Sequence, residues 1–132
     1  MATITEDYVS FEIAKLLKEK GFNEPCYACY LNKELSHYDY TSTNFELIDN
    51  AISAPTIQMT MKLLREVHYI HIEALCPIVD VDTDVFGVKY NVVISNLKNN
   101  CLAFNTDIED NEYDTYEQAC EAGIKYCLEN LI

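Results

Sequence analysis

The sequence lacks tryptophan, and among its 132 residues it has only three glycines and three prolines. The glycines, Gly21, Gly87 and Gly123, stand far apart. Neither a phosphate-binding loop nor a dinucleotide-binding fingerprint can therefore be built from them. A Gly-x-Ser-x-Gly motif, the usual signal of a serine nucleophile, is absent too. No nucleophile and base come together in the sequence, so we expect a protein without catalytic residues and without a cofactor.

Basic residues are also scarce, because nine lysines and arginines stand against 22 acidic residues and give a net charge of −13. Nucleic acids and anionic membranes are bound largely through lysine and arginine. We therefore expect the protein to bind neither. The sequence has no apolar run of the ~20 residues that a membrane helix needs, and its start lacks the pattern of a secretory signal. These features predict a cytoplasmic protein whose six cysteines are reduced.

Apolar residues at helical spacing predict two helices in the first half of the chain, at about residues 7–20 and 55–68. Gly21 suits the end of the first helix, because glycine adopts a left-handed conformation at low cost. Pro55 suits the first position of the second helix. The apolar face of this second helix is expected to contain Ile57, Met61, Leu64 and His68, and to be widened by Leu63 and Val67.

A third helix is predicted at residues 116–130, where Thr115 can cap the first turn and Gln118 completes a capping box. Five strands are predicted from period-two alternation at about residues 26–31, 35–40, 69–76, 86–96 and 100–106. The first two are joined by a turn near Asn32, and residues 41–54, which show no period, are expected to form a loop.

The predicted order of elements is α-(ββ)-α-β-β-β-α. It indicates an α+β fold with three helices and a mainly antiparallel sheet of three to five strands. The length suits one domain, so we expect residues 1–132 to form a single α+β domain.

Three segments resemble a known group of proteins: residues 21–26, residues 52–73, and residues 113–131, which read Tyr-Asp-Thr-Tyr-Glu-Gln-Ala-Cys and onward. Together they are similar to small uncharacterised proteins of Bacteroides-type prophages and gut phages. The order of elements also resembles a phage domain described as an ABA sandwich. The resemblance implies a phage-type origin and a compact α+β fold, and it supplies no functional residues.

Cys26 and Cys29 form a Cys-x-x-Cys pair, a spacing that is used for zinc and for redox chemistry. No second pair of this kind supplies the two further ligands that zinc needs. The pair also falls on a predicted strand, which would point the two thiols to opposite faces. Two small thiols packed in or near the core are therefore the simpler interpretation.

The acidic triplet Asp80, Asp82 and Asp84 resembles the start of a calcium-binding loop. The expected glycine and glutamate are replaced by Val85 and Asn91, and the predicted flanks are strands. A solvated turn is therefore the simpler interpretation, and weak calcium binding is the alternative. No metal site is predicted from either motif.

Tyrosine is unusually frequent, with ten residues. Tyrosine suits interfaces because its rigid ring offers contact area together with a hydroxyl group. The candidate binding surface consists of Tyr27, Tyr30, Tyr38 and Tyr40. A second candidate is the acidic loop with Asp107, Glu109, Asp110, Glu112 and Asp114, which could imitate nucleic-acid phosphates.

These features predict a non-enzymatic acidic module that binds a host or phage protein with a basic surface. Action on a host factor is what the phage-type resemblance implies. The alternative is a small-ligand or metal-binding module that uses the tyrosine-rich region with Cys26 and Cys29. The last helix is a candidate for pairing two copies, and the choice between monomer and homodimer is left open.

Overall fold

The computed structural model describes residues 6–43, 50–75, 90–99, 101–105 and 113–132, and for residues 39–43 and 102–105 it describes the backbone alone. This part of the chain contains three helices and six strands. In chain order they are α1 (Phe11–Glu19), β1 (Pro25–Leu31), β2 (Glu34–Thr43), β3 (Ile52–Ser53), α2 (Ile57–His68), β4 (Ile70–Leu75), β5 (Asn91–Asn96), β6 (Cys101–Asn105) and α3 (Tyr116–Asn130).

The predicted α+β class is confirmed. Among the described residues the paired strands are antiparallel, and they form two three-stranded sheets with the orders β2-β1-β3 and β4-β5-β6. The chain divides into two compact units, unit 1 with Met1–Thr60 and Lys125–Ile132, and unit 2 with Met61–Ile124. A single domain over residues 1–132 stays a prediction.

In unit 1, helix α1 begins later than residue 7, where the periodicity placed its start. Ser10 is the N-cap, and its hydroxyl accepts a hydrogen bond from the Ile13 amide at 3.4 Å. The preceding residues instead form an isolated β-bridge, between Tyr8 and Thr56. The helix end agrees with the prediction, because Gly21 has φ 87° and Phe22 folds back to donate its amide hydrogen to the Leu17 carbonyl at 2.9 Å.

Strands β1 and β2 form the hairpin expected from the sequence. Asn32 and Lys33 occupy its turn with φ of 50° and 68°, the left-handed values that a tight hairpin turn requires. The predicted loop at residues 41–54 is wrong at both ends. Strand β2 continues to Thr43, and Ile52–Ser53 form β3, which pairs with β1. A two-residue strand shows no period, so local alternation could not reveal β3.

Helix α2 begins at Ile57, so the placement of Pro55 at its first position is wrong. The Thr56 hydroxyl accepts a hydrogen bond from the Met59 amide at 3.1 Å and acts as the cap instead. The expected buried face holds for Ile57, Met61 and Leu64. The placement of Val67 and His68 on this face is wrong, because both side chains are exposed at the end of the helix, and Leu63 is only half-buried.

In unit 2, the predicted inward face of β4 and β5 holds for Ile70, Ile72, Val92 and Ile94, which are all buried, but Asn91 at the start of β5 is buried too and departs from the alternation. Helix α3 has the expected cap, with the Gln118 amide donating to the Thr115 hydroxyl at 3.1 Å. The Gln118 side chain accepts from the amide of Asp114, one residue earlier than an ideal capping box would have it.

At Gly123, helix α3 lies very close to the sheet of unit 2. A Cβ atom there would lie 2.7 Å from Ile72 Cγ2 and 3.1 Å from Val92 Cγ1. Gly123→Ala should gain about 1 kcal/mol from helix propensity and lose about 1–3 kcal/mol to overpacking. We expect a net loss of about 1 kcal/mol in urea denaturation.

A double-variant cycle supplies the control for this expectation. Ile72→Ala removes the methyl group that the new Cβ would strike, so the penalty of Gly123→Ala should shrink in that background. A Gly123→Ala protein more stable than the parent would show that the helix does not approach the sheet as closely as the structure places it.

Candidate functional site

The candidate site is a cleft of unit 1 between the segment before α1 and strand β2. Two hydrogen bonds fix that segment, one from the Val9 amide to the Pro55 carbonyl at 3.0 Å and one from the Ile57 amide to the Asp7 carbonyl at 2.9 Å. This pairing with the residues around Thr56 keeps the segment extended. The segment contributes Glu6, Asp7 and Tyr8 to the cleft lining.

Strand β2 supplies the other side of the cleft through Leu35 and His37. They are two residues apart and therefore point to the same face of the sheet. The register places them opposite Tyr30 and Ala28 of β1. The His37 ring meets the Tyr8 ring edge to face, with centroids 4.8 Å apart and planes at 72°.

The cleft has a volume of about 670 Å³ and is lined by Glu6, Asp7, Tyr8, Leu35 and His37. Its volume lies within the ~300–1,000 Å³ typical of ligand sites. The described lining contains two exposed carboxylates and no lysine or arginine. Carboxylates beside a tyrosine ring suit a cation, because they give charge-assisted hydrogen bonds and the ring face attracts positive charge.

The four predicted tyrosines all lie on the β1–β2 hairpin, in different surroundings. Tyr27 is 54% exposed. Tyr30 is half-buried and donates its hydroxyl hydrogen to the Val9 carbonyl at 2.7 Å. Tyr38 is half-buried and hydrogen-bonded to Cys29, and the side chain of Tyr40 lies outside the described part. Tyr27 is thus the most open of the three described side chains, and a shared tyrosine surface stays a prediction.

The acidic loop is mostly outside the described residues, which do not include Asp107, Glu109, Asp110 and Glu112. Asp114 is described and exposed, just before the cap of α3. The triplet Asp80, Asp82 and Asp84 is also outside the described part. Both hypotheses therefore stay predictions.

The cysteine pair lies on β1, and both thiols are buried. Burial, with the nearby Glu24 carboxylate as a smaller cause, raises the pKa of Cys26 to about 12. The Cys26 thiol donates to the Glu24 carbonyl at 3.4 Å. Burial also raises the pKa of Cys29, although a hydrogen bond with Tyr38 lowers it in part. These thiols are therefore protonated at neutral pH, whereas nucleophiles and metal ligands are thiolates.

Within the described ranges, no group of three or more histidine, cysteine or acidic residues is placed to hold a metal ion. None of the helices described there has the length and apolar character needed to cross a bilayer.

Comparison of this chain with protein-family models, curated proteins and solved structures found no match. The resemblance to phage proteins therefore stays a prediction, as does the cytoplasmic location. Any function proposed for this chain therefore rests on the residues that line the cleft.

Proposed function

We propose that this protein is a non-enzymatic acidic module that binds a basic segment of a partner protein in the cleft of unit 1. The observation that carries the proposal is the lining of the cleft, to which Glu6, Asp7 and Tyr8 all contribute. A lysine or arginine side chain offers the matching positive charge. If the phage-type resemblance holds, the partner is a host factor.

The charge of the whole chain supports the same partner. A net charge of −13 attracts a basic surface over long distances and speeds its association. The cleft then supplies the contacts that act at short range. The net charge of the chain and the lining of the cleft both favour a cationic partner, and neither favours nucleic acid or an anionic membrane.

The proposal is tested with a labelled peptide of alternating lysine and glycine, whose binding is followed by fluorescence anisotropy. The test variant is Glu6→Gln with Asp7→Asn, and the control is Glu19→Gln with Glu24→Gln, which changes the net charge equally outside the cleft lining. At about 0.15 M salt the Debye length is about 8 Å, so the control should differ little from the parent.

We expect the cleft variant to bind the peptide about tenfold more weakly than the parent, which corresponds to about 1.4 kcal/mol. Equal losses in the two double variants would mean that only the overall charge attracts the peptide. That outcome would remove the cleft from the proposal.

A small cationic ligand is the second candidate for the same cleft, because its volume of about 670 Å³ also suits a small molecule. Cadaverine, a free diamine with the length of a lysine side chain, tests it. If cadaverine displaces the lysine peptide at concentrations similar to those of the peptide, the small-ligand function is favoured. If it displaces the peptide only at far higher concentrations, the protein partner is favoured.

A further inference from the structure

A second surface lies at one end of unit 2, where α2 is followed directly by β4. Tyr69 stands at this junction with φ 59°. The other non-glycine residues described with positive φ are Asn32, Lys33 and Asn50, and asparagine tolerates this conformation. A left-handed tyrosine is an outlier, because its Cβ atom crowds the backbone in this conformation. At the end of α1, by contrast, the left-handed position is occupied by Gly21.

The turn after β5 lies against this junction. The Leu97 amide donates to the Tyr69 carbonyl at 2.7 Å, and the next residue, Ile70, pairs with Asn96. The Lys98 ammonium group stands over the Tyr69 ring, 4.8 Å from its centroid.

This end of unit 2 exposes three large apolar side chains close together. Val67 is 57% exposed, Tyr69 46% and Leu97 44%. The basic Lys98 lies next to them, and Arg65 lies in the last turn of α2. The nearby acid, Glu66, is paired with Lys62 at 4.0 Å. In the part of the chain that the structure describes, this surface is therefore apolar and carries the positive charge of Lys98, which is opposite to the net charge of the chain.

We infer that Val67, Tyr69, Leu97 and Lys98 form a docking surface for a peptide segment that carries an apolar side chain next to carboxylates. The apolar side chain would pack on Tyr69 between Val67 and Leu97. The carboxylates would pair with Lys98. All four residues lie in unit 2, so this docking surface is independent of the cation-binding function proposed for the cleft of unit 1.

The strained tyrosine supports this inference. A glycine at this junction would adopt the left-handed conformation without strain. A tyrosine here therefore lowers the free energy of unfolding unless contacts of its ring offset the strain. The Tyr69 side chain is nearly half exposed, and the exposed Lys98 stands over its ring. A partly exposed ring that the backbone holds at a fixed place is suited to contact with a partner.

The test uses a fluorescein-labelled peptide of sequence Gly-Leu-Phe-Glu-Glu-Gly and its counterpart with Gln-Gln in place of Glu-Glu. Binding of each to the full chain is measured by anisotropy, and the stability of each variant by urea denaturation. The variant Tyr69→Gly removes the ring and the backbone strain together, so it should fold. Tyr116→Ala, which removes a partly exposed tyrosine at the start of α3, is the matched control.

We expect the acidic peptide to bind the parent and the Tyr116→Ala protein equally, and to bind Tyr69→Gly at least about tenfold more weakly. The urea midpoint of Tyr69→Gly should equal or exceed that of the parent. The neutral peptide should bind the parent several-fold more weakly, and Lys98→Gln should abolish most of this difference between the peptides.

Several outcomes would overturn the inference. One is a Tyr69→Gly protein that binds the acidic peptide as well as the parent does, and another is equal binding of the two peptides. A lower urea midpoint for Tyr69→Gly would make the ring a structural element. Self-association of the parent that Tyr69→Gly abolishes, measured by sedimentation, would assign the surface to a second copy of the chain instead.

Discussion

Replacing Leu64 by aspartate should leave the chain largely unfolded. Leu64 lies on α2 with no exposed surface. The change removes a buried side chain, which costs about 2–5 kcal/mol, and adds the cost of burying a carboxylate. Small domains are stable by only about 5–15 kcal/mol, so little or no stability should remain. Circular dichroism and urea denaturation measure the loss.

Val67→Asp is the matched control for this prediction. It makes the same kind of change on the same helix at a side chain that is 57% exposed. We expect it to fold with a stability within about 1 kcal/mol of the parent, as surface substitutions usually do. Cooperative unfolding of Leu64→Asp at the parent's urea midpoint would show that the buried face of α2 is assigned incorrectly.

The second large effect is a loss of stability in alkali. Burial raises the pKa of Cys26 and of Cys127 from 9.0 to about 12. Both thiols are protonated in either state below about pH 9, so their contribution is complete there. Between about pH 9 and pH 12 the unfolded chain releases these protons and the folded chain keeps them. Each thiol should then lower the free energy of unfolding by about 1.4 kcal/mol per pH unit.

Urea denaturation from about pH 8 to pH 12, with a reducing agent present, measures this slope. The double variant Cys26→Ala with Cys127→Ala is the control, because the tyrosines and lysines that also titrate there are common to both proteins. Its stability should fall less steeply with pH than that of the parent. Parallel curves for the two proteins would mean that the two thiols ionise as readily in the folded chain as in the unfolded chain.

Much of the secondary structure could be predicted from local patterns. The spacing of Ile57, Met61 and Leu64 places the buried face of α2, and Thr115 marks the start of α3. The predicted elements are wrong where contacts between residues far apart in the sequence determine the structure. The residues before α1 show a helical period, yet Tyr8 pairs with Thr56, and a residue in a β-bridge cannot also continue a helix. The short strand β3 exists because β1 pairs with it.

The candidate sites were less accessible to sequence reasoning. Leu35 and His37 alternate on a predicted strand, so a shared face was foreseeable. Their meeting with Tyr8 depends on hydrogen bonds of the first segment to Pro55 and Ile57, and no local pattern signals these. The φ of Tyr69 is also invisible in the sequence, because a tyrosine after a helix does not indicate a left-handed backbone.

Whether the cleft of unit 1 binds a cation can be measured residue by residue in an amide chemical-shift titration. Isotope-labelled protein would be titrated with the lysine–glycine peptide at about physiological salt. We expect saturable shifts concentrated at the cleft residues, which are Glu6, Asp7, Tyr8, Leu35 and His37. Saturable shifts confined to other residues, or no saturable shifts, would contradict this expectation.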